Sequence, residues 1–151
     1  MRLYLDACCL NRPFDDKSQL RVHLESEAVL AIIERVEEGR WTLVSSAALE
    51  FELERIPDPQ RRARTQRLLS AAQEHAAIGS AESARAENLR RACGMHALDA
   101  LHLACAVSLQ ADVFLTTDDR LLTAARRLPA GTLRVMVANP LAWLTDVVAR
   151  E

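Results

Sequence analysis

The chain predicts one α/β domain over residues 1–151, with a mostly parallel sheet of four to five strands flanked by helices on both faces. Short apolar runs at Arg2–Leu5, Trp41–Val44, Val113–Thr116 and Leu133–Val137 alternate with longer segments of helical periodicity, which is the signature of such a sheet. The length fits a single domain able to bury a full core. Only four Gly and five Pro argue against a chain rich in linkers, and no internal repeat or domain boundary is evident.

Taken in order, Arg2–Leu5 is the first strand, and a loop at Asn11–Asp16 follows it, with Pro13 blocking continuation. From Ser18 to Glu38 the residues Val22, Val29, Ile32, Ile33 and Val36 recur at helical spacing, and Gly39 supplies the stop. Trp41–Val44 is the second strand. Ser45 or Ser46 caps a helix running to Arg55, which Pro57 and Pro59 end. A helix over Gln60–Ala76 carries an arginine cluster, and Ile78 marks a minor strand. Ser80–Ala92 is a polar helix stopped by Gly94. Residues 96–110 form a helix apolar almost all round, hence largely buried. Val113–Thr116, a short helix over 119–127, a strand at Leu133–Val137 and a helix after Asn139-Pro140 complete the chain.

Bulk properties narrow the function. The net charge of −2 does not advertise a polyanion partner, and 4% aromatics make base stacking a minor force. The arginines are clustered, however: Arg61, Arg62, Arg64 and Arg67; Arg85, Arg90 and Arg91; Arg126 and Arg127. No apolar run reaches the ~18 residues of a membrane span. The first strand begins at Met1-Arg2, leaving no room for a signal peptide, so a cytoplasmic location is expected. Cys8, Cys9, Cys93 and Cys105 have no zinc spacing, and Cys105 reads as a small core hydrophobe. No G-x-G-x-x-G or G-K-[ST] motif occurs. A D-x-D nucleophile after the first strand is also absent, since Ala7 and Cys8 follow Asp6.

Four acids carry the chemistry. Asp6 closes the first strand, Glu52 lies in the helix after the second, Asp99 is the only acid in the 96–110 segment, and Asp118 follows the third strand. Ligands in open α/β sheets gather outside the carboxyl ends of the strands, and carboxylates crowded there call for a hard divalent cation. Simpler roles stand beside this one. Asp99 also suits the first turn of a helix, and Asp118 also suits a helix cap, with Asp119 able to exchange places with it. Glu52 lies beside the buried stripe, whereas Glu50 is rotated away by about 200°; Glu50 is the alternate second acid. Thr116 and Thr117 are placed to orient a carboxylate. His102 suits the core or the surroundings of the site as well as catalysis.

These features resemble the PIN-domain family of metal-dependent ribonucleases that includes the VapC-type toxins. The likeness spans essentially the whole chain and rests on Leu3-Tyr4-Leu5-Asp6, Val44-Ser45-Ser46 through Glu52, Leu98-Asp99-Ala100-Leu101-His102-Leu103-Ala104, Leu115-Thr116-Thr117-Asp118-Asp119-Arg120-Leu121-Leu122 and the final Asn139-Pro140. It implies that Asp6, Glu52, Asp99 and Asp118 hold Mg²⁺ or Mn²⁺ and that the chain hydrolyses RNA phosphodiesters. It also implies a toxin with a small antitoxin partner, and a homodimer. The alternative is a non-catalytic PIN-like module that binds RNA or protein. The family often has Thr or Ser just after the first acid. Here Ala7-Cys8-Cys9 stands there, so a hydroxyl near the metal is expected to be missing. Arg12, Arg61, Arg62 and Arg64 are the candidate contacts to the RNA backbone, Arg12 as a bidentate phosphate fork. The bland reading of the 61–67 cluster is a solvated helix face.

Overall fold

The computed structural model describes residues 1–151. Five strands form one sheet: β1 (Arg2–Leu5), β2 (Thr42–Ser46), β3 (Glu74–Ala76), β4 (Val113–Leu115) and β5 (Met136–Ala138). The spatial order is β3-β2-β1-β4-β5, and every neighbouring pair is parallel. Eight helices fill the connections: α1 (Ala7–Asn11), α2 (Leu20–Glu37), α3 (Ala47–Glu54), α4 (Pro59–Leu69), α5 (Ser80–Cys93), α6 (Ala97–Ser108), α7 (Asp119–Arg126) and α8 (Pro140–Val148). Consecutive residues Leu3, Tyr4 and Leu5 are all fully buried, so helices cover both faces of the central strand.

From β1 the chain builds outward through β2 to β3, then returns to place β4 and β5 on the other side. The direction of winding therefore reverses between β1 and β4, and that reversal is where open α/β sheets leave a crevice at their carboxyl ends. Tyr4 stacks on Phe114 across the β1–β4 pair, with ring centroids 5.1 Å apart. Trp41, just before β2, meets Trp143 of α8 edge to face at 5.0 Å, tying the last helix to the sheet.

Four elements depart from the sequence expectation. The segment expected to be a loop after β1 begins as helix α1 and continues as a 3-10 turn over Arg12–Phe14. The Asp6 carboxylate caps α1 by accepting the Ala7 amide, and Pro13 occupies an early turn position where no amide is needed. The helix expected over 60–76 ends at Leu69, because the following backbone pairs with the open edge of β2: the Gln73 amide donates to Leu43 O at 2.9 Å. The minor strand is thus Glu74–Ala76, with an Arg2–Glu74 ion pair at its start, and Ile78 lies beyond it, exposed. The last strand is shifted from 133–137 to Met136–Ala138. No helix is long and apolar enough to cross a membrane.

Candidate metal centre

The site grows from the carboxyl ends of β1 and β4. Asp6 leaves β1 with its amide still bonded to Leu115 O at 2.9 Å, so the backbone of one strand fixes the exit of the other. The residue is 5% exposed. Oδ1 accepts the Ala7 amide at 2.8 Å, and Oδ2 accepts the Thr116 hydroxyl at 2.9 Å. The hydroxyl expected to be missing from residues 7–9 is therefore supplied from across the sheet. Cys8 Sγ packs in the same place, 3.2 Å from Thr116 Oγ1 and 3.5 Å from Asp6 Oδ2. Burial raises the pKa of Asp6, and the charges and donors around it offset this only in part: His102 and the Thr116 and Ala7 bonds favour the carboxylate, while Glu52 opposes it.

Asp99 sits in the first turn of α6, as expected, half-buried. Desolvation, then the charges of Asp6 and Asp118, push its carboxyl up to about 6 against a smaller pull from His102 and His96. Glu52, on α3, is brought beside Asp6 and His102: the three offer ligand atoms that all lie within 4.8 Å of one another. Asp118 caps α7 by accepting the Arg120 amide at 2.9 Å, while its own amide donates to Thr116 Oγ1 at 3.1 Å. Asp99 and Asp118 stand outside the tight group of Asp6, Glu52 and His102 but act on each other, and Asp6 on Asp99, through charge.

The two alternates point elsewhere. Glu50 is exposed and pairs with His75 Nδ1 at 3.0 Å, toward β3. Asp119 is held in a bidentate fork by Arg21, both bonds 2.8 Å.

The four candidate arginines have different surroundings. Arg12 is tied to the protein's own acids: its Nε lies 2.9 Å from buried Glu25, and Nη1 reaches Asp15 at 3.2 Å. Glu25, 1% exposed, also accepts from Arg21 Nε at 2.9 Å and Asn139 Nδ2 at 2.8 Å. Arg61 donates to Asp15 at 2.8 Å and Phe14 O at 2.6 Å, pinning α4 to the turn after α1. Arg62 donates to Ile56 O at 3.0 Å. Of the four, Arg64 alone is exposed with no hydrogen bond to the protein, its guanidinium 6.0 Å over Phe14. Two cations nearer the acids were not singled out for this role: Arg120 and Arg127 line, with His96 and Asp99, a cleft of about 410 Å³. The largest cavity, about 870 Å³, lies instead at the amino ends of β4 and β5, around Asp112 and Arg134, far from these carboxylates.

His102 is the other residue whose weight the sequence understated. It is fully buried one turn after Asp99, and its Nδ1 is 2.7 Å from the Tyr4 hydroxyl, which is 2.6 Å from Ser46 Oγ. Its Nε2 is 3.6 Å from Glu52 Oε2, an electrostatic contact too long for a hydrogen bond. Burial pushes its pKa down, but Glu52, Asp6 and Asp99 outweigh that and hold it above the ordinary value. The donor set fits a divalent ion: the Asp6 and Glu52 carboxylates lie beside His102, whose buried Nε2 has no hydrogen-bond partner.

A parallel five-strand sheet with acids at the reversal of its winding defines a carboxylate-centred α/β protein, and the chain belongs to the PIN-domain family, whose profile matches residues 3–127. No individually curated protein matches it. Among solved structures it is similar to VapBC2 from Rickettsia felis bound to a DNA fragment from their promoter, with 13% identity and a TM-score of 0.58 over 92% of this chain and 98% of that one. It is similar to VapBC-1 from nontypeable Haemophilus influenzae at 16% identity and TM-score 0.54, over 93% and 98% of the two chains. PAE2754 from Pyrobaculum aerophilum aligns over 99% of both chains at 13% identity and TM-score 0.52. At these identities the likeness is one of fold.

Proposed function

We propose that the protein is a metal-dependent endoribonuclease and the toxin half of a toxin–antitoxin pair. The observation that carries this reading is the buried Asp6 carboxylate crowded by further acids at the sheet's reversal point, with Asp99 pushed up to about 6 by that crowding. Like charges are gathered at such cost where a cation offsets them. Asp6, Glu52, Asp99 and Asp118 would hold Mg²⁺ or Mn²⁺. Such an ion, when bound, activates water at neutral pH and polarises a phosphoryl oxygen.

The chain's own groups do the rest. Thr116 and the Ala7 amide hold Asp6 in one orientation, so the centre is organised before substrate arrives. Arg120 and Arg127 border the cleft at Asp99 and are placed to take the phosphates flanking the scissile bond, with exposed Arg64 as an outlying contact. The likeness to two VapBC structures supports a small antitoxin partner, and exposed Leu20 and Leu24 on α2 offer an apolar surface for a second copy of the chain.

Incubating wild type and Asp6→Asn with total RNA and Mn²⁺, then with chelator, tests the reading. Cleavage is expected only in metal-loaded wild type, while Asp6→Asn binds RNA at least as well, having lost a negative charge from the groove. Cleavage that survives both the substitution and the chelator would overturn the mechanism. Binding without cleavage across metals and RNAs would leave a non-catalytic module.

A further inference from the structure

The two nitrogens of His102 have opposite surroundings. Nδ1 meets a chain of hydroxyls, Tyr4 then Ser46, and Ser46 Oγ also accepts the Leu49 amide at 3.1 Å as the cap of α3. Nε2 is buried with no hydrogen-bond partner and faces the acids, 3.6 Å from Glu52 Oε2. A buried ring nitrogen left without a partner is costly, and native proteins rarely keep one without a use for it.

We propose that His102 Nε2 is a direct ligand, with Asp6 and Glu52, of a first-row transition-metal ion, which makes the centre a mixed nitrogen–oxygen site rather than an all-oxygen one. The proposal rests on the metal-dependent reading above only in requiring a divalent ion beside Asp6. Ligands roughly 2.1 Å from an ion sit roughly 3 Å apart when adjacent and roughly 4.2 Å apart when opposite. The donor atoms here, all within 4.8 Å of one another, are already near that spacing. Imidazole suits transition metals, whereas Mg²⁺ keeps oxygen ligands and water, so the nitrogen biases the choice of ion.

The hydroxyl chain prepares the ring for this role. Hydroxyls both donate and accept, so the protons on Tyr4 and Ser46 can run in either direction. With Nδ1–H donating to Tyr4 and Tyr4 to Ser46, Nε2 turns a lone pair to the acids. With Ser46 donating to Tyr4 and Tyr4 to Nδ1, Nε2 carries the proton and directs it at Glu52. The same packing thus serves a metal-bound and a metal-free ring, and Tyr4 acts as the outer hydrogen-bond partner that fixes the ligand's tautomer.

Mn²⁺ alone, added to the full chain and followed by pulsed EPR, reads the ligand directly, because a coordinated imidazole couples its ¹⁴N to the electron spin. The expected result is ¹⁴N coupling in wild type that is lost in His102→Asn, whose amide can still meet Tyr4 but has no atom at the Nε2 position. The Mn²⁺-over-Mg²⁺ preference should fall at least tenfold in the same variant. Tyr4→Phe should keep the coupling and weaken Mn²⁺ binding by about tenfold. Should His102→Asn fail to fold, wild-type coupling that disappears in Asp6→Asn carries the decision. Mn²⁺ bound in wild type without ¹⁴N coupling overturns the assignment, whether or not RNA is cut. Coupling in a protein that cuts no RNA upholds it and sinks the nuclease reading instead. No Mn²⁺ binding that depends on Asp6 overturns both.

Discussion

The Thr116 hydroxyl donates to Asp6 Oδ2 at 2.9 Å, joining the carboxyl end of β4 to that of β1. The same oxygen accepts the Asp118 amide at 3.1 Å, so one side chain sets both the first acid and the cap of α7. Its place in the parallel ladder makes this possible: the Thr116 amide is bonded to Ala138 O at 3.0 Å, which holds the residue between β5 and the cleft.

Thr116→Val therefore leaves a buried carboxylate oxygen and an amide short of partners. The expected loss is about 1–3 kcal/mol of stability, read by urea unfolding at neutral pH. Thr116→Ser should recover most of it, because the hydroxyl returns without the methyl. A Val variant as stable as wild type would mean that Asp6 is held by other contacts.

Metal-free stability should fall as pH rises through the range in which Asp99 ionises. Its folded pKa of about 6 exceeds the ordinary value, so the folded protein keeps a proton that the unfolded chain has released. The contribution is complete below about pH 4 and lost as pH passes about 6. Asp99 is partly exposed, which limits the effect to about 1 kcal/mol after allowance for screening. Asp99→Asn should flatten most of this decline in chelator, with a residue left by Asp6, whose pKa burial also raises. Above pH 6 the variant should then be the steadier protein. Mn²⁺ should reverse the order by raising the melting temperature of wild type more than that of Asp99→Asn. Equal gains would place the ion away from this centre.

The fold was legible in the sequence, and the candidate acids stand out there by local pattern. Asp6 and Asp118 each follow a short apolar run, and Asp99 is isolated in an apolar helix; parallel pairing of β1 with β4 sets the ends of those two runs side by side. What was not legible depends on reach across the fold. Glu25 reads as one of many acids on a surface helix, yet it is buried where Arg12 and Asn139 meet it from two other segments of the chain and Arg21 from one turn earlier on α2. His102 sits beside Asp99 in sequence, but its significance lies in Tyr4 and Ser46, which come from other strands. The end of α4 was missed because the edge of β2 overrode helical periodicity in residues 74–76.

Arginines that look alike in sequence should separate into structural and substrate-facing groups. Arg12→Ala removes one cation from buried Glu25, while Arg21 and Asn139 remain. It should cost about 1–3 kcal/mol in urea unfolding, and RNA affinity should change only as far as the fold does. Arg127 is exposed on the cleft at Asp99 and has no carboxylate partner. Arg127→Ala should leave stability within about 0.5 kcal/mol. It should weaken RNA binding across sequences and reduce the salt dependence of log K by about one phosphate contact. Binding is best measured in the Asp6→Asn background at several salt concentrations, so that cleavage does not intrude. If Arg12→Ala lowers RNA affinity with stability intact while Arg127→Ala does nothing, the internal ties of Arg12 do not govern its role, and the RNA path runs along α1 and α4 instead of past Asp99.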